Sequence, residues 1–136
     1  MNHRDMSAVT DEAVFRKELE SVEAAYQSAL GDAGKKMKMP KYYRPPEGKF
    51  CPANLEMAQK LGYKTIFWSL AYVDWNVDRQ PTREEALNTL LPRTHKGAVT
   101  LLHSPSKTNA RALGELIERW KAEGYKFGTL DELTKS

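Results

Sequence analysis

Leu61-Gly62-Tyr63-Lys64-Thr65-Ile66-Phe67-Trp68-Ser69-Leu70 is the stretch on which the fold turns. Gly62 stops a preceding helix, and the apolar run from 64 to 70 has the composition of a strand buried on both faces. Upstream, residues 52 to 61 place Leu55, Ala58 and Leu61 on one side of a helix, and 41 to 43 read as a short strand before it. Between them Arg44-Pro45-Pro46-Glu47-Gly48 continues neither element, because two prolines remove donors and Gly48 permits a tight turn, so a rigid loop is expected. Downstream, Thr82-x-x-Glu85 is a capping box opening a helix to about 91, and Gly97 precedes a second buried strand over 98 to 102. Strand, crossover helix and strand at this spacing predict an α/β fold with a parallel sheet, either doubly wound or a portion of a barrel.

The ends of the chain extend this pattern. Residues 11 to 30 set Phe15, Leu19, Val22, Tyr26, Ala29 and Leu30 on one helical stripe, with Thr10 as N-cap, Asp11 and Glu12 in the first turn, and Gly31 and Gly34 as stops. Leu113, Leu116, Ile117 and Trp120 mark a C-terminal helix ended by Gly124, and 125 to 130 read as a last short strand. The whole is sized for one domain spanning 1 to 136: 15.5 kDa, 40% hydrophobic and 29% charged, with three Trp, six Tyr and four Phe as core material. No apolar run is long enough for a membrane span, and the first residues lack the features of a signal peptide. A single cysteine, Cys51, excludes an internal disulfide. A net charge of +3 selects no partner, and no Gly-rich phosphate loop or nucleophile elbow is present.

Ligands of parallel α/β folds bind at the carboxyl ends of the strands. Arg44 follows the first strand, Asp74 and Trp75 the second, and His103 the third, so a cation, an anion and an imidazole converge on one rim. Each also has a plainer reading. A loop arginine pairs with a surface carboxylate, Asp74 caps a turn, Trp75 fills a core, and His103 is a satisfied strand-end residue. His95 precedes its strand and faces solvent at the opposite rim, Cys51 is a small half-buried residue, and His3 by itself reads as an unstructured N-terminus. The basic and aromatic stretch from Gly34 to Tyr43 would suit a phosphate backbone, a reading of nucleic-acid binding that predicts steep salt-dependent retention on DNA. A charged loop feeding a strand explains it equally, and no nucleic-acid partner is expected.

Taken in order, Tyr43-Arg44-Pro45-Pro46-Glu47-Gly48-Lys49-Phe50, Phe67-Trp68-Ser69-Leu70 leading to Asp74-Trp75, and Leu101-Leu102-His103 resemble the third, fourth and fifth motifs of the polysaccharide deacetylases, the NodB homology domain of carbohydrate esterase family 4. The Arg-Pro-Pro-x-Gly-x-Phe form, the Trp-Ser-Leu-Ala segment from 68, and the ending Gly124-Tyr125-x-Phe127-x-Thr129-Leu130-Asp131-Glu132-Leu133 look most like the delta-lactam-biosynthetic de-N-acetylases, which act on spore-cortex peptidoglycan. The resemblance implies the C-terminal part of a distorted (β/α) barrel, about two-thirds of it, extracytoplasmic in the full-length protein. Family members carry an upstream Thr-Phe-Asp-Asp-Gly motif with the base and a metal-binding aspartate, then His-Ser/Thr-x-x-His with two more ligands. Asn2-His3-Arg4-Asp5-Met6 looks like the end of the second, which makes His3 the last ligand of a divalent metal, zinc by preference, that this chain alone would not hold tightly. An incomplete barrel also implies exposed edges that favour self-association or a complementing chain.

By the same resemblance, His103 is the general acid for the departing amine, and Asp74 keeps a proton on it. Arg44 keeps the upstream aspartate base ionised, and the Pro45 to Gly48 loop holds the oxyanion donor. Trp75, Leu101, Pro46, Glu47 and Gly48 contact substrate, with Trp75 and Leu101 walling the acetyl methyl. Glu47 departs from the family's frequent aromatic residue there. The function implied is metal-dependent de-N-acetylation of peptidoglycan amino sugars, with the chain alone inactive; the alternative is a non-catalytic glycan-binding or split-enzyme fragment of the same fold.

Overall fold

The computed structural model describes residues 3, 5–33 and 37–135, so Asn2, Arg4, Gly34, Lys35 and Lys36, which enter the readings above, lie outside the described residues. Two compact units, Met1–Phe67 and Trp68–Ser136, each carry their own hydrophobic cluster. Both are mixed α/β with parallel pairing.

In the first unit, helix α1 (Glu12–Leu30) starts one residue later than expected. Asp11, not Thr10, is the N-cap: its carboxylate accepts the Val14 N–H at 3.0 Å, and an anion there also meets the positive end of the helix. Of the expected stripe Phe15 and Leu19 are buried, Val22, Tyr26 and Leu30 are half-buried, and Ala29 is exposed. Strand β1 (Tyr42–Tyr43) and strand β2 (Lys64–Thr65) pair in parallel, with helix α2 (Pro52–Lys60) as the crossover, a minimal βαβ unit. Met57 and Ala58 bury the α2 face where Leu55 and Ala58 were expected to lead. Asn54 joins them because its amide donates to the Met6 carbonyl at 2.8 Å and its oxygen accepts the Cys51 N–H at 3.2 Å. Phe15 meets Tyr43 edge-on at 5.4 Å, and Met6, Leu19 and Tyr63 complete the cluster. The Tyr43 hydroxyl is buried with no partner among the described residues, and burial, with Cys51 nearby, pushes its pKa up to about 12.

The second unit is built on helix α3 (Arg83–Leu90) packed against helix α4 (Lys107–Ala122), over a cluster of Leu70, Tyr72, Leu87, Leu90, Leu116 and Trp120. The Thr82-x-x-Glu85 box forms as read: Thr82 Oγ1 accepts the Glu85 N–H at 3.1 Å and Glu85 accepts the Thr82 N–H at 2.7 Å. Thr82→Ala should therefore cost about 1 kcal/mol in urea denaturation; a loss below about 0.3 kcal/mol would show that the box adds nothing.

Three strand expectations fail. The runs 64–70 and 98–102 are not strands buried on both faces: among the described residues, beyond β2 only the parallel bridge Leu70↔Thr100 forms, and Phe67, Ser69 and Thr100 are exposed. Phe67 instead packs edge-on against exposed Phe50 at 5.1 Å. Residues 125 to 129 form no strand, because Tyr125 closes the end of α4 by donating to the Trp120 carbonyl and Thr129 caps helix α5 (Leu130–Leu133) through a second capping box with Glu132. Along α4, Leu113 is exposed while Ala112, Leu116 and Trp120 are buried, so the inward face lies one residue round from the expected stripe.

Candidate functional site

The second unit brings Asp74, Trp75 and His103 together. Leu70 and Thr100 are bridged in parallel, which sets the segments leaving them, 71 to 75 and 101 to 103, side by side. Asp74 is fully buried, and three donors engage its carboxylate. The His103 ring approaches through Nδ1 at 2.6 Å from Oδ1, the His103 N–H donates to Oδ2 at 2.7 Å, and the Asn109 amide donates to Oδ2 at 2.5 Å. Burial by itself raises the Asp74 pKa, but these bonds outweigh it and hold the carboxyl below its ordinary range. A carboxylate only accepts, so Nδ1 carries the hydrogen and Nε2, the other ring nitrogen, has no partner among the described residues. Trp75, more than half exposed, presents its ring 5.8 Å from the imidazole at 69°, and Leu101 is half-buried with its N–H on the Leu70 carbonyl.

This geometry fixes a pH dependence. The folded pKa of Asp74 lies below the unfolded one, so its contribution is complete above the unfolded value and disappears as pH falls through the folded one. Glu85 and Glu132, lowered by the threonine N–H groups that they cap, act in the same direction. The melting temperature should hold from about pH 7 to 5 and drop below about pH 4, and Asp74→Asn should start lower and fall less steeply. Equal acid slopes in the two proteins would refute this.

Three groups that sequence reasoning passed over complete the hydrogen-bond network around Asp74. Asn109 lies in the first turn of α4, Tyr72 donates its hydroxyl to the Asn109 oxygen at 2.5 Å, and Gln80 donates to the Asp74 carbonyl at 2.9 Å. Gln80 also accepts the Ser106 hydroxyl at 2.6 Å, fastening the 74–80 loop to the N-cap of α4. Neither the N-cap role of Ser106 nor the reach of Asn109 and Gln80 to residue 74 was read from the sequence. His95, expected in solvent, is exposed but held by the Ser69 hydroxyl at 3.0 Å and the Arg93 carbonyl at 3.1 Å.

The remaining site residues lie in the first unit. Arg44 is exposed, and no ion pair engages it among the described residues. The loop after it is a 3₁₀ turn, Pro46–Gly48, in which Glu47 adopts φ 55° and ψ 9°, a left-handed conformation uncommon for a side chain of this kind. Pro45 and Pro46 have no N–H, and Gly48 donates to the Pro45 carbonyl at 3.0 Å. The Glu47 N–H is thus the loop donor left without a partner among the described residues, while its carboxylate pairs with Lys49 at 2.7 Å. Pro46 is buried and Gly48 half-buried, so neither offers the open surface that Glu47 does.

A metal does not fit the donors present. Among the described residues no three His, Cys, Asp or Glu side chains gather, and His3 is exposed. Asp5, the nearest acid in sequence, is taken up by the Ser7 hydroxyl and by Lys49. No helix among the described residues is long and apolar enough to cross a membrane.

No family model matches the chain. It is 37% identical over 133 residues to the peptidoglycan-N-acetylmuramic acid deacetylase PdaA of Bacillus subtilis, covering 97% of this chain and 48% of that protein. The solved structure of that enzyme, a family 4 carbohydrate esterase, superposes with a TM-score of 0.84 at 33% identity, over 98% of this chain and 54% of that one. A family 4 pseudoenzyme from Bacillus anthracis gives a TM-score of 0.81 at 25% identity, over 98% of this chain and 44% of that one. The chain spans about half the length of the curated relatives it matches. In sequence and in fold the chain is similar to about half of a family 4 carbohydrate esterase.

Proposed function

We propose that this chain carries the acid-bearing portion of a de-N-acetylase that hydrolyses the N-acetyl amide of peptidoglycan amino sugars. The observation that supports this most is the Asp74–His103 pair, a buried carboxylate fixing the imidazole with Nε2 free, in a homologue of peptidoglycan deacetylases. An amine is a poor leaving group until protonated; a histidine with Nδ1–H tied to a carboxylate can take up a proton on Nε2, from the attacking water or from solvent, and deliver it from there as the C–N bond breaks. Trp75 lies beside that ring, and the family resemblance assigns it, with Leu101, to shielding the acetyl methyl from water. The family resemblance further assigns Arg44 to keeping a carboxylate base ionised and the Pro45 to Gly48 loop to the developing oxyanion, and in that loop the Glu47 N–H is the donor without a partner among the described residues. Activation of water, with the divalent metal that the family uses, is assigned to the portion of the relatives that this chain does not span. Peptidoglycan as substrate would put the reaction outside the cytoplasm, and exposed Val73, Val77, Phe127 and Leu133 supply apolar surface for a complementing chain or for self-association.

The test is acetate release from peptidoglycan or chitooligosaccharides. The 136-residue chain alone is expected to release none. A joined protein, in which it is completed by the portion of Bacillus subtilis PdaA outside the aligned region, is expected to release acetate in a metal-dependent manner. A folded joined protein without activity would favour the second reading, a non-catalytic glycan-binding module, for which the pseudoenzyme of Bacillus anthracis is the precedent in fold.

A further inference from the structure

We infer that Asn109 is a positioning residue of the Asp74–His103 pair: its amide holds one oxygen of the Asp74 carboxylate so that the other is presented to the imidazole. The inference deepens the function proposed above and rests on it for its consequence in turnover, but the geometry exists without turnover. Asn109 is 7% exposed, and its main-chain N–H is fixed by the N-cap Ser106 at 3.1 Å. Both ends of its side chain are engaged. Nδ2 donates to Asp74 Oδ2 at 2.5 Å and to the His103 carbonyl at 3.0 Å, while Oδ1 accepts from the Tyr72 hydroxyl at 2.5 Å. The carboxylate and the carbonyl can only accept and the tyrosine can donate, so one orientation of the amide satisfies all three.

Asn109 thereby ties together residues 72, 74 and 103, which leave two different strand segments, from a third element, α4. Asp74 Oδ2 receives two donors, the Asn109 amide and the His103 N–H, and its carboxylate plane cannot turn. Oδ1 is then left facing Nδ1, which selects the tautomer with Nε2 free. A leucine at 109 would fill similar volume and withdraw the donor. Oδ2 would keep one bond, and the carboxylate could rotate toward water or toward the main chain.

The experiment is proton NMR of the full chain labelled with ¹⁵N-histidine. The wild-type protein should show a downfield, slowly exchanging His103 Nδ1–H, as a short bond to a carboxylate produces. In Asn109→Leu the exchange of that proton with water should accelerate about tenfold or more, with the remaining spectrum still dispersed. A merely structural asparagine would lower the melting temperature and leave the ring proton of the folded protein unchanged, and that result overturns the inference. Should Asn109→Leu fail to fold, Tyr72→Phe carries the test: it frees Oδ1, lets the amide turn, and should accelerate exchange severalfold, whereas unchanged exchange again overturns the inference. Failure of the proposed activity would look different, as an intact His103 signal in a joined protein that releases no acetate.

Discussion

Deacetylation by the joined protein should fall about 10²- to 10⁴-fold on His103→Ala, the usual contribution of a positioned proton donor. The reason lies in the wiring of the ring. Nδ1 is committed to Asp74 at 2.6 Å, and the free Nε2 is the nitrogen that can meet a departing amine. The loss should appear in kcat with KM nearly unchanged, because the imidazole acts as charge develops and contributes little to holding the glycan. A fall of less than about tenfold, or one confined to KM, would remove His103 from proton transfer and leave it as a wall of the pocket beside Trp75.

Trp120→Ala should have the largest effect on stability, about 3–5 kcal/mol in chemical denaturation followed by circular dichroism. The indole is 5% exposed among Leu90, Ala112 and Leu116, its N–H donates to the Thr94 hydroxyl at 2.8 Å, and its main-chain carbonyl accepts the Tyr125 N–H at 2.9 Å. The substitution opens a cavity and removes the donor that the Thr94 hydroxyl accepts, leaving that hydroxyl its bond to the Leu90 carbonyl at 2.9 Å, on the element that carries Asn109 at its other end. A loss below about 1 kcal/mol would mean that α4 collapses into the space, with Phe127, whose ring centroid lies 6.0 Å from that of Trp120, able to fill it.

What could be read from sequence was local or paired in register. The caps at Thr82 and Gly31, the βαβ order and the rim placement of Asp74, Trp75 and His103 follow from periodicity and from residues a few positions apart. Apolar composition misled at 64–70 and 98–102: it reports the wish to be buried, while strand formation also needs a neighbour for each edge, and among the described residues the ladder reduces to β1–β2 and one bridge. The run 125–130 misled for a different reason. Thr129-x-x-Glu132 carries the same signature as Thr82-x-x-Glu85, and the helix start that it encodes outcompetes two aromatic residues with no strand beside them. Asn109 and Tyr72 were invisible because their partners lie 35 and 37 residues away along the chain, and polar groups in a buried network are chosen by distance in space.

The left-handed backbone of Glu47 divides labour within one residue. The torsion angles aim the N–H, and Gly48 follows at φ 71° to close the turn, while everything beyond the β-carbon projects outward to Lys49 and solvent. Side-chain identity at this position is therefore free to drift among residues that tolerate φ near 55°, glycine and asparagine most readily, without moving the main-chain donor. If the loop takes the oxyanion role proposed for it, ligand preference and reaction chemistry would reside in separate atoms of one amino acid, so that recognition could be retuned without disturbing the donor.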